Sequence, residues 1–339
     1  MIIDFRSDTV TKPTPGMMDA MIKASVGDDV FGEDPTINSL EKKMAELFNM
    51  EAALFCASGT MSNQVAISSH TSPGDEVICE QEAHVYYYEG GGIARNAGCQ
   101  TRLLAGDRGR IRAEQVLKSI NPNDEHKART SLVCLENTSN RGGGSCYDIN
   151  EIKKIRQVCN DHHLILHLDG ARLFNALVAK KEKPGDYGPL FDSISVCFSK
   201  GLGCPAGSVL LGAEKFILKG RRVRKVFGGG MRQAGFLAAT ALYALDHHVK
   251  RLSIDHQHAR KIGEALQNHP LIKSVLPIET NLVIFELNDN ENPRVFISRM
   301  KEKNILMLQI SERKLRIVTH LDVSEEMVSV FLKTLAQII

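Results

Sequence analysis

Strand-length apolar runs alternate with helically patterned segments through about the first 250 residues of the chain. That alternation leaves few folds open, because strands separated by helices pair side by side in parallel, with the helices covering the sheet. The runs read as strands are AALFCA (52–57), DEVICE (75–80), TSLVCLENT (130–138), HLILHLDGA (163–171), and two closely spaced runs at 193–198 and 207–212. Between them, Asp34-Pro35 supplies an N-cap and a first-turn proline for a helix with Ile37, Leu40, Met44 and Leu47 on one face. GTMSNQVAISSH reads as the next helix. Another opens at Asp148, with Asp148 and Glu151 as a capping pair and Ile149, Ile152 and Ile155 facing inward. A long helical stretch over roughly 231–265 leads out of this unit. NLVIFEL, VFISRMKEK, LRIVTH and SEEMVSVFLKTLAQ then alternate once more. The pattern predicts an α/β chain: a large domain with a mostly parallel central sheet flanked by helices (16–250), then a small C-terminal α/β domain (251–339).

Composition removes whole classes of function. With 339 residues, 43% hydrophobic and 24% charged, the chain matches an ordinary globular protein with a sizeable core. A net charge of +2 gives no general attraction to nucleic acid or membrane. The opening MIIDFRSDTV lacks the basic and apolar regions of a secretory signal, and no run reaches membrane-spanning length. Eight cysteines lie scattered in apolar segments without a C-x-x-C pair, which suits reduced thiols in a cytoplasmic protein and gives no metal site.

Three features fall where strands end, the usual place for ligands in such a sheet. Ser58, Gly59 and Thr60 form a hydroxyl-rich turn opening a helix, whose free N–H groups suit a phosphate; plain helix capping is the competing reading. Asp169 ends a wholly apolar strand, as a functional carboxylate or as an N-cap, and Arg172 stands three residues on to partner it or to bind an anion. Lys200 sits between two apolar runs, as a solvated loop lysine or as a desolvated amine able to form a Schiff base. Two other patterns mislead. GLGCPA (201–206) matches a dinucleotide fingerprint, but Pro205 and a strand-like SVLLG stand where the fingerprint needs a helix. The basic run KGRRVRK (219–225) reads as a solvated helix face, not a nucleic-acid patch.

Together, hydroxyl turn, strand-end aspartate and strand-end lysine are the three anchors of pyridoxal 5'-phosphate: phosphate cup, pyridinium partner and Schiff-base lysine. The sequence resembles the low-specificity L-threonine aldolases, fold type I pyridoxal-phosphate enzymes of the aspartate-aminotransferase-like superfamily. The resemblance runs almost end to end, through DFRSDTVTKPT, VGDDVFGEDPT, EAALFCASGTMSNQ, EAHVYYYEGGGIAR, CLENT, LHLDGARLFNA, DSISVCFSKGLGCPAGSVLLG, GGGMRQAG and LRIVTHLDVS.

The resemblance implies a role at each matching position. Lys200 would hold the cofactor covalently, Asp169 would pair with its pyridine nitrogen, and His84 would stack on its ring and take a proton. Ser58, Gly59 and Thr60 would hold the phosphate. Ser7, Arg172 and Arg316 would grip the substrate carboxylate, which brings the N-terminal segment (1–15) into the active site. Lys225 and Arg232 would reach a cofactor-containing site, from a neighbouring subunit of a homo-oligomer, a tetramer or at least a dimer. His126, in a polar loop, is either a group approaching the substrate hydroxyl or a solvated loop histidine. Many relatives carry histidine after LENT where this chain has Ser139, and RGGGSCYD (141–148) is richer in glycine than the family pattern. The implied reaction is cleavage of L-threonine or L-allo-threonine to glycine and acetaldehyde. A β-eliminating lyase on the same scaffold and a non-catalytic pyridoxal-phosphate-binding protein are the alternatives.

Overall fold

The computed structural model describes residues 2–338. Seven strands form the central sheet in the spatial order Ala52–Cys56, Ser208–Gly212, Ser193–Cys197, Ile165–Gly170, Thr130–Glu136, Glu76–Glu80, Gln100–Leu104. From Ser193–Cys197 to Gln100–Leu104 every neighbour is parallel. Ser208–Gly212 runs against both of its neighbours. This one reversal has a local cause. Cys197 and Ser208 are register partners, and Phe198 N–H donates to the Gly207 carbonyl at 3.0 Å, so the segment between them closes a hairpin. A hairpin connection can only join antiparallel strands. Gly203 and Gly207 make the turn at φ of 81° and 110°, conformations that cost a residue with a Cβ dearly. A strand follows these glycines, so the dinucleotide pattern is not realised.

Helix formation follows the capping signals closely. Asp34 accepts N–H bonds from Thr36 and Ile37, Pro35 opens the Pro35–Phe48 helix, and Ile37, Leu40 and Met44 are fully buried. Leu47 departs from expectation: it is exposed, and Phe48 takes the inward place. Asp148 caps the Ile149–Asp161 helix through Asn150 N–H, but Glu151 does not complete the reciprocal box. It reaches instead to Ala113 N–H at 2.9 Å, tying in the Ala113–Ser119 helix.

The expected long helix over 231–265 is two helices, Gly235–His247 and Leu252–Gln267. At the break, His248 Nδ1 donates to the Leu202 carbonyl at 2.7 Å. The turn lets the chain pass between two cores. Ala238, Ala241, Ala244 and Leu252 pack in the large one, and Ala259, Ile262 and Leu266 in the small one. The small unit is a four-stranded antiparallel sheet, in the order Leu308–Gln309, Lys314–Val318, Leu282–Leu287, Ile272–Val275. The chain's beginning belongs to this unit. Ile3–Asp4 pairs in parallel with Ile305–Leu306, and Ile3 and Phe5 are buried in the small core.

The basic run also differs from a solvated face. On the Glu214–Val226 helix, Arg224 is buried and bonded to Asp29 and the Phe55 carbonyl, Arg221 pairs with Glu41, and Lys219 donates to the Ser69 carbonyl. These cations staple the helix to the sheet, and Arg222 and Lys225 remain exposed. All eight cysteines are free and buried, and among the described residues no helix is long and apolar enough to cross a membrane.

Candidate active site

Beyond the carboxyl ends of the parallel strands lies a cavity of about 180 Å³, lined among others by Ser58, Gly59, Thr60, His84, Asp169 and Lys200. Four places far apart in sequence thus converge on one space. A wider depression of about 560 Å³ lies at the opposite edge, where Thr130 and Ile165 begin their strands. Size does not choose between them. The smaller cavity holds the amine, the buried carboxyl group and the helix N-terminus at the end of the sheet where ligands bind.

Each group is placed by its element. Asp169 lies near the end of Ile165–Gly170 and is 2% exposed. Its Oδ1 accepts Ala171 N–H at 3.0 Å and its Oδ2 accepts Asn63 Nδ2 at 2.9 Å. Asp169 is therefore not a helix cap. Lys200 sits half-buried in the hairpin loop after Ser193–Cys197, held between two hydrogen-bonded strands. Ser58 is the N-cap of Gly59–His70, its Oγ accepting Met61 N–H at 3.2 Å, so the capping reading holds while the turn also lines the cavity. His84 opens a short helix, and its Nδ1 donates to Glu89 Oε1 at 2.9 Å. Burial pulls the His84 pKa down, but the Glu89 bond and the nearby Asp169 charge, acting against the Lys200 cation, leave it above the ordinary histidine value.

A cluster of charge adjoins Lys200. Arg172 does not partner Asp169: its Nε and Nη2 each bond Asp8 at 2.7 Å, with both side chains buried. Burial pushes the Asp8 carboxyl up, but the Arg172 charge and bonds, with Lys200 and Arg316 nearby, hold it down at about 2. Arg316 donates to Asn140 Oδ1 at 2.8 Å and to the Arg6 carbonyl at 3.1 Å. Its Nε is buried without a partner, and burial beside Arg172 lowers its pKa to about 10. A buried, under-bonded guanidinium next to another cation is built to receive an anion. Ser7 stands beside these groups and caps the Asp8–Val10 turn, its Oγ accepting Thr9 N–H at 3.2 Å.

Three expected residues lie elsewhere. His126 is on an exposed loop, its ring bonded to Asp124, on the side of the 560 Å³ depression; nothing brings it to its own chain's cavity. Arg232 pairs with Asp28 at 3.0 Å on the surface, and Lys225 is exposed. Neither lines the cavity.

Sequence reasoning missed several residues that shape the site. Asn63, Ala171, Cys197 and Ser199 also line the cavity. Glu136 ends its strand beside Asp169, accepting the backbone N–H groups of His84 at 3.0 Å and Asn140 at 2.9 Å. Burial, then the Asp169 charge, pushes its pKa up to about 7. The signal for Asn63 was present: a polar run, SNQ, inside a helix that has to pack on a sheet. Nothing in the sequence marked Asp8 above its neighbours.

The donor set fits pyridoxal phosphate: an amine, a buried carboxyl group for a protonated ring nitrogen, an imidazole at the cavity wall and a helix N-terminus for phosphate. Gly59 has no room for a side chain, since a Cβ there would strike Cys197 Sγ, so backbone lines that end of the cavity.

The fold and this constellation define a fold type I pyridoxal-phosphate enzyme. The fold is that of a threonine aldolase from Leishmania major, with a TM-score of 0.87 at 21% identity over 99% of both chains. Residues 4–290 match the family model described as Beta-eliminating lyase, and the chain belongs to that family of pyridoxal-phosphate-dependent lyases. Among its relatives are the low specificity L-threonine aldolase of Escherichia coli K12, 42% identical over 96% of each chain, and the probable low-specificity L-threonine aldolase 2 of Arabidopsis thaliana, 40% identical over 95% of this chain and 93% of that one.

Proposed function

We propose that the protein cleaves L-threonine and L-allo-threonine, and related L-3-hydroxy-amino acids, into glycine and the matching aldehyde. The observation that carries this reading is the half-buried Arg316, with an unpartnered Nε, beside the Asp8–Arg172 pair and next to the Lys200 cavity. An amino-acid carboxylate belongs there, and a protein that merely carried the cofactor would need no such place.

Bound in the cavity, pyridoxal phosphate supplies an electron sink for the charge left on Cα when a bond to it breaks. The residues of the chain do the rest. Lys200 would hold the cofactor through its amine. Ser58, Gly59 and Thr60 would hold the phosphate, and Asp169 would pair with the protonated ring nitrogen. Arg316, with Ser7 and Arg172, fixes the substrate carboxylate. That grip would orient the bonds at Cα and so select which of them breaks. His84, oriented by Glu89, is the imidazole placed to take the β-hydroxyl proton.

The family model's own description favours a second reading, β-elimination. The two reactions differ in products. Incubation with L-threonine or L-allo-threonine should yield glycine and acetaldehyde in equal amounts; ammonia and 2-oxobutanoate without glycine would sink the aldolase reading.

The working form we propose is a cytoplasmic homo-oligomer, a tetramer, whose sites are shared between subunits. Support comes from Lys225 and Arg232 lying outside their own chain's cavity, and from the exposed apolar side chains of Val226, next to Lys225, and of Val30 and Phe31, just after the Asp28 that pairs with Arg232. Mixing Lys200→Ala chains with Arg232→Ala chains should restore activity; its absence in proven mixed oligomers would refute sharing.

A further inference from the structure

The Gly59–His70 helix packs on the central sheet, yet Ser62, Asn63, Gln64 and Ser69 are among its buried residues. Polar groups at that depth cost stability unless they are hydrogen-bonded; Ser62, Asn63 and Gln64 are, while Ser69 Oγ has no partner. Following the partners of Asn63 gives a chain that crosses the sheet face. Asn63 Nδ2 lies 2.9 Å from Asp169 Oδ2 and 2.9 Å from Glu89 Oε1. Asn63 Oδ1 lies 3.2 Å from His167 Nε2. His167 Nδ1 is 2.8 Å from Ser193 Oγ, and Ser193 Oγ is 2.9 Å from His70 Nε2. Periodicity explains the alignment. His167 and Asp169 are two apart on one strand face, and Asn63 and His70 are two turns apart on one helix face.

The direction of every bond follows from one end. Ionised carboxylates only accept, so the amide of Asn63 must turn its NH₂ toward both Asp169 and Glu89. Its oxygen then faces His167, whose Nε2 must carry a proton. Burial drives the His167 pKa down to about 4, so the ring is neutral and Nδ1 is an acceptor. Ser193 must donate to it, and can then only accept from His70. Burial likewise takes His70 down to about 3, leaving a neutral ring protonated at Nε2. No link can reverse without setting two acceptors or two donors face to face.

We infer that His70, Ser193, His167 and Asn63 form a one-way donor chain that positions the Asp169 carboxylate for the ring nitrogen of the cofactor. The chain occupies Oδ2 from within the protein, the Ala171 N–H occupies Oδ1, and the carboxylate is left with a fixed tilt toward the cavity. Aligned donors polarise one another, so the last bond, Asn63 to Asp169, is stronger than an isolated amide would make it. This inference rests on the proposed pairing of Asp169 with the ring. Asn63 and His167 act through Asp169 and are positioning residues.

The test uses the full-length protein. Nitrogen NMR of the histidine side chains should show His167 and His70 neutral, with the proton on Nε2, from pH 5.5 to 8. A His167 proton on Nδ1 would overturn the chain whatever any variant does. Titration of cofactor-free protein with pyridoxal phosphate, followed by fluorescence quenching, gives the second readout. His167→Leu should weaken cofactor binding by about five- to tenfold, the worth of one hydrogen bond. His167→Gln, whose amide nitrogen reaches the place of Nε2, should recover most of that loss, which a purely packing role would not allow. If Asp169→Asn weakens binding and turnover but His167→Leu does not, the donor chain is refuted and the role of Asp169 stands. If Asp169→Asn changes neither, both fall.

Discussion

Asp8 and Arg172 face each other through two parallel hydrogen bonds of 2.7 Å, and both side chains are buried. One comes from the first turn of the chain, the other from the segment following the Asp169 strand. The pair ties the N-terminal segment to the large sheet at the point where the site lies.

Replacing Asp8 by Asn should leave a buried guanidinium without its counter-charge and cost roughly 3–5 kcal/mol of stability. The loss should depend on pH. The folded-state pKa of Asp8, about 2, is below its ordinary 3.8. The carboxylate therefore contributes stability above about pH 4, and that contribution drains away as pH falls toward 2. Urea unfolding at pH 6 and pH 2.5 should show the gap between wild type and Asp8→Asn shrinking by about 2 kcal/mol. A constant gap would mean that geometry and not charge holds the pair.

His84 and Glu89 give a second pH signature. Removing the carboxylate with Glu89→Gln should lower the His84 pKa, because the hydrogen bond that raises it is weakened while burial remains. The sign is that of a histidine with a raised folded pKa: stability from the pair is fully present below the unfolded value and is lost as pH rises through the folded one. NMR titration of the His84 ring in both proteins reads this directly; an unchanged or higher midpoint contradicts it.

Glu136 shares the sign of the His84 linkage and opposes that of Asp8. Its pKa is raised from 4.5 to about 7 by burial first and the Asp169 charge second. The folded state thus holds a proton that the unfolded chain has released, and stability from this group falls as pH climbs from about 4.5 to 7. Glu136→Gln should flatten that slope, measured as unfolding midpoints at pH 5 and 7.5. It should also loosen the Asn140 contact to Arg316, raising KM for threonine more than it lowers kcat.

Gly109 stands at φ 83°, and a Cβ there would strike Ser139 Oγ. Ser139 is 2% exposed, and its Oγ accepts Gly142 N–H at 3.1 Å. The small residue and the glycine-rich turn after it are therefore one packing solution. Gly109→Ala should cost about 1–3 kcal/mol. Ser139→His should destabilise more than Ser139→Ala in thermal melts. A neutral Ser139→His would mean that the turn can open to accept a ring.

The large sheet and the cavity's main residues were legible because each is local or periodic. A five-residue apolar strand, a capped helix and a strand-end Asp169 or Lys200 all announce themselves within a dozen positions. What stayed hidden depends on partners distant in the chain. Arg172 was readable as a cation but not as Asp8's partner. KGRRVRK looked solvated because Glu41, Asp29 and the Ser69 carbonyl are supplied by other elements. The split of the 231–265 helix reflects two cores competing for one segment, and no local breaker residue marks it. Gln100–Leu104, an edge strand with half-exposed faces, has too little apolar content to stand out.

The docking of Ile3–Asp4 on Ile305–Leu306, with Val318 N–H bonded to the Phe5 carbonyl, sets an order of events during synthesis. A growing chain can assemble the seven-stranded sheet and its core, and with them the cavity, once residue 252 has left the ribosome. The first segment has no strand to pair with until residue 306 has followed. Domains form as units while synthesis proceeds from the N-terminus, yet here Ile3 and Asp4 wait for Ile305 and Leu306 to find their place. Until then Ser7, Asp8 and Arg316 are apart, and a nascent molecule can present a cofactor cavity with no grip on an amino acid. On the proposed roles, chains that stop before Arg316 would bind cofactor without turning over substrate.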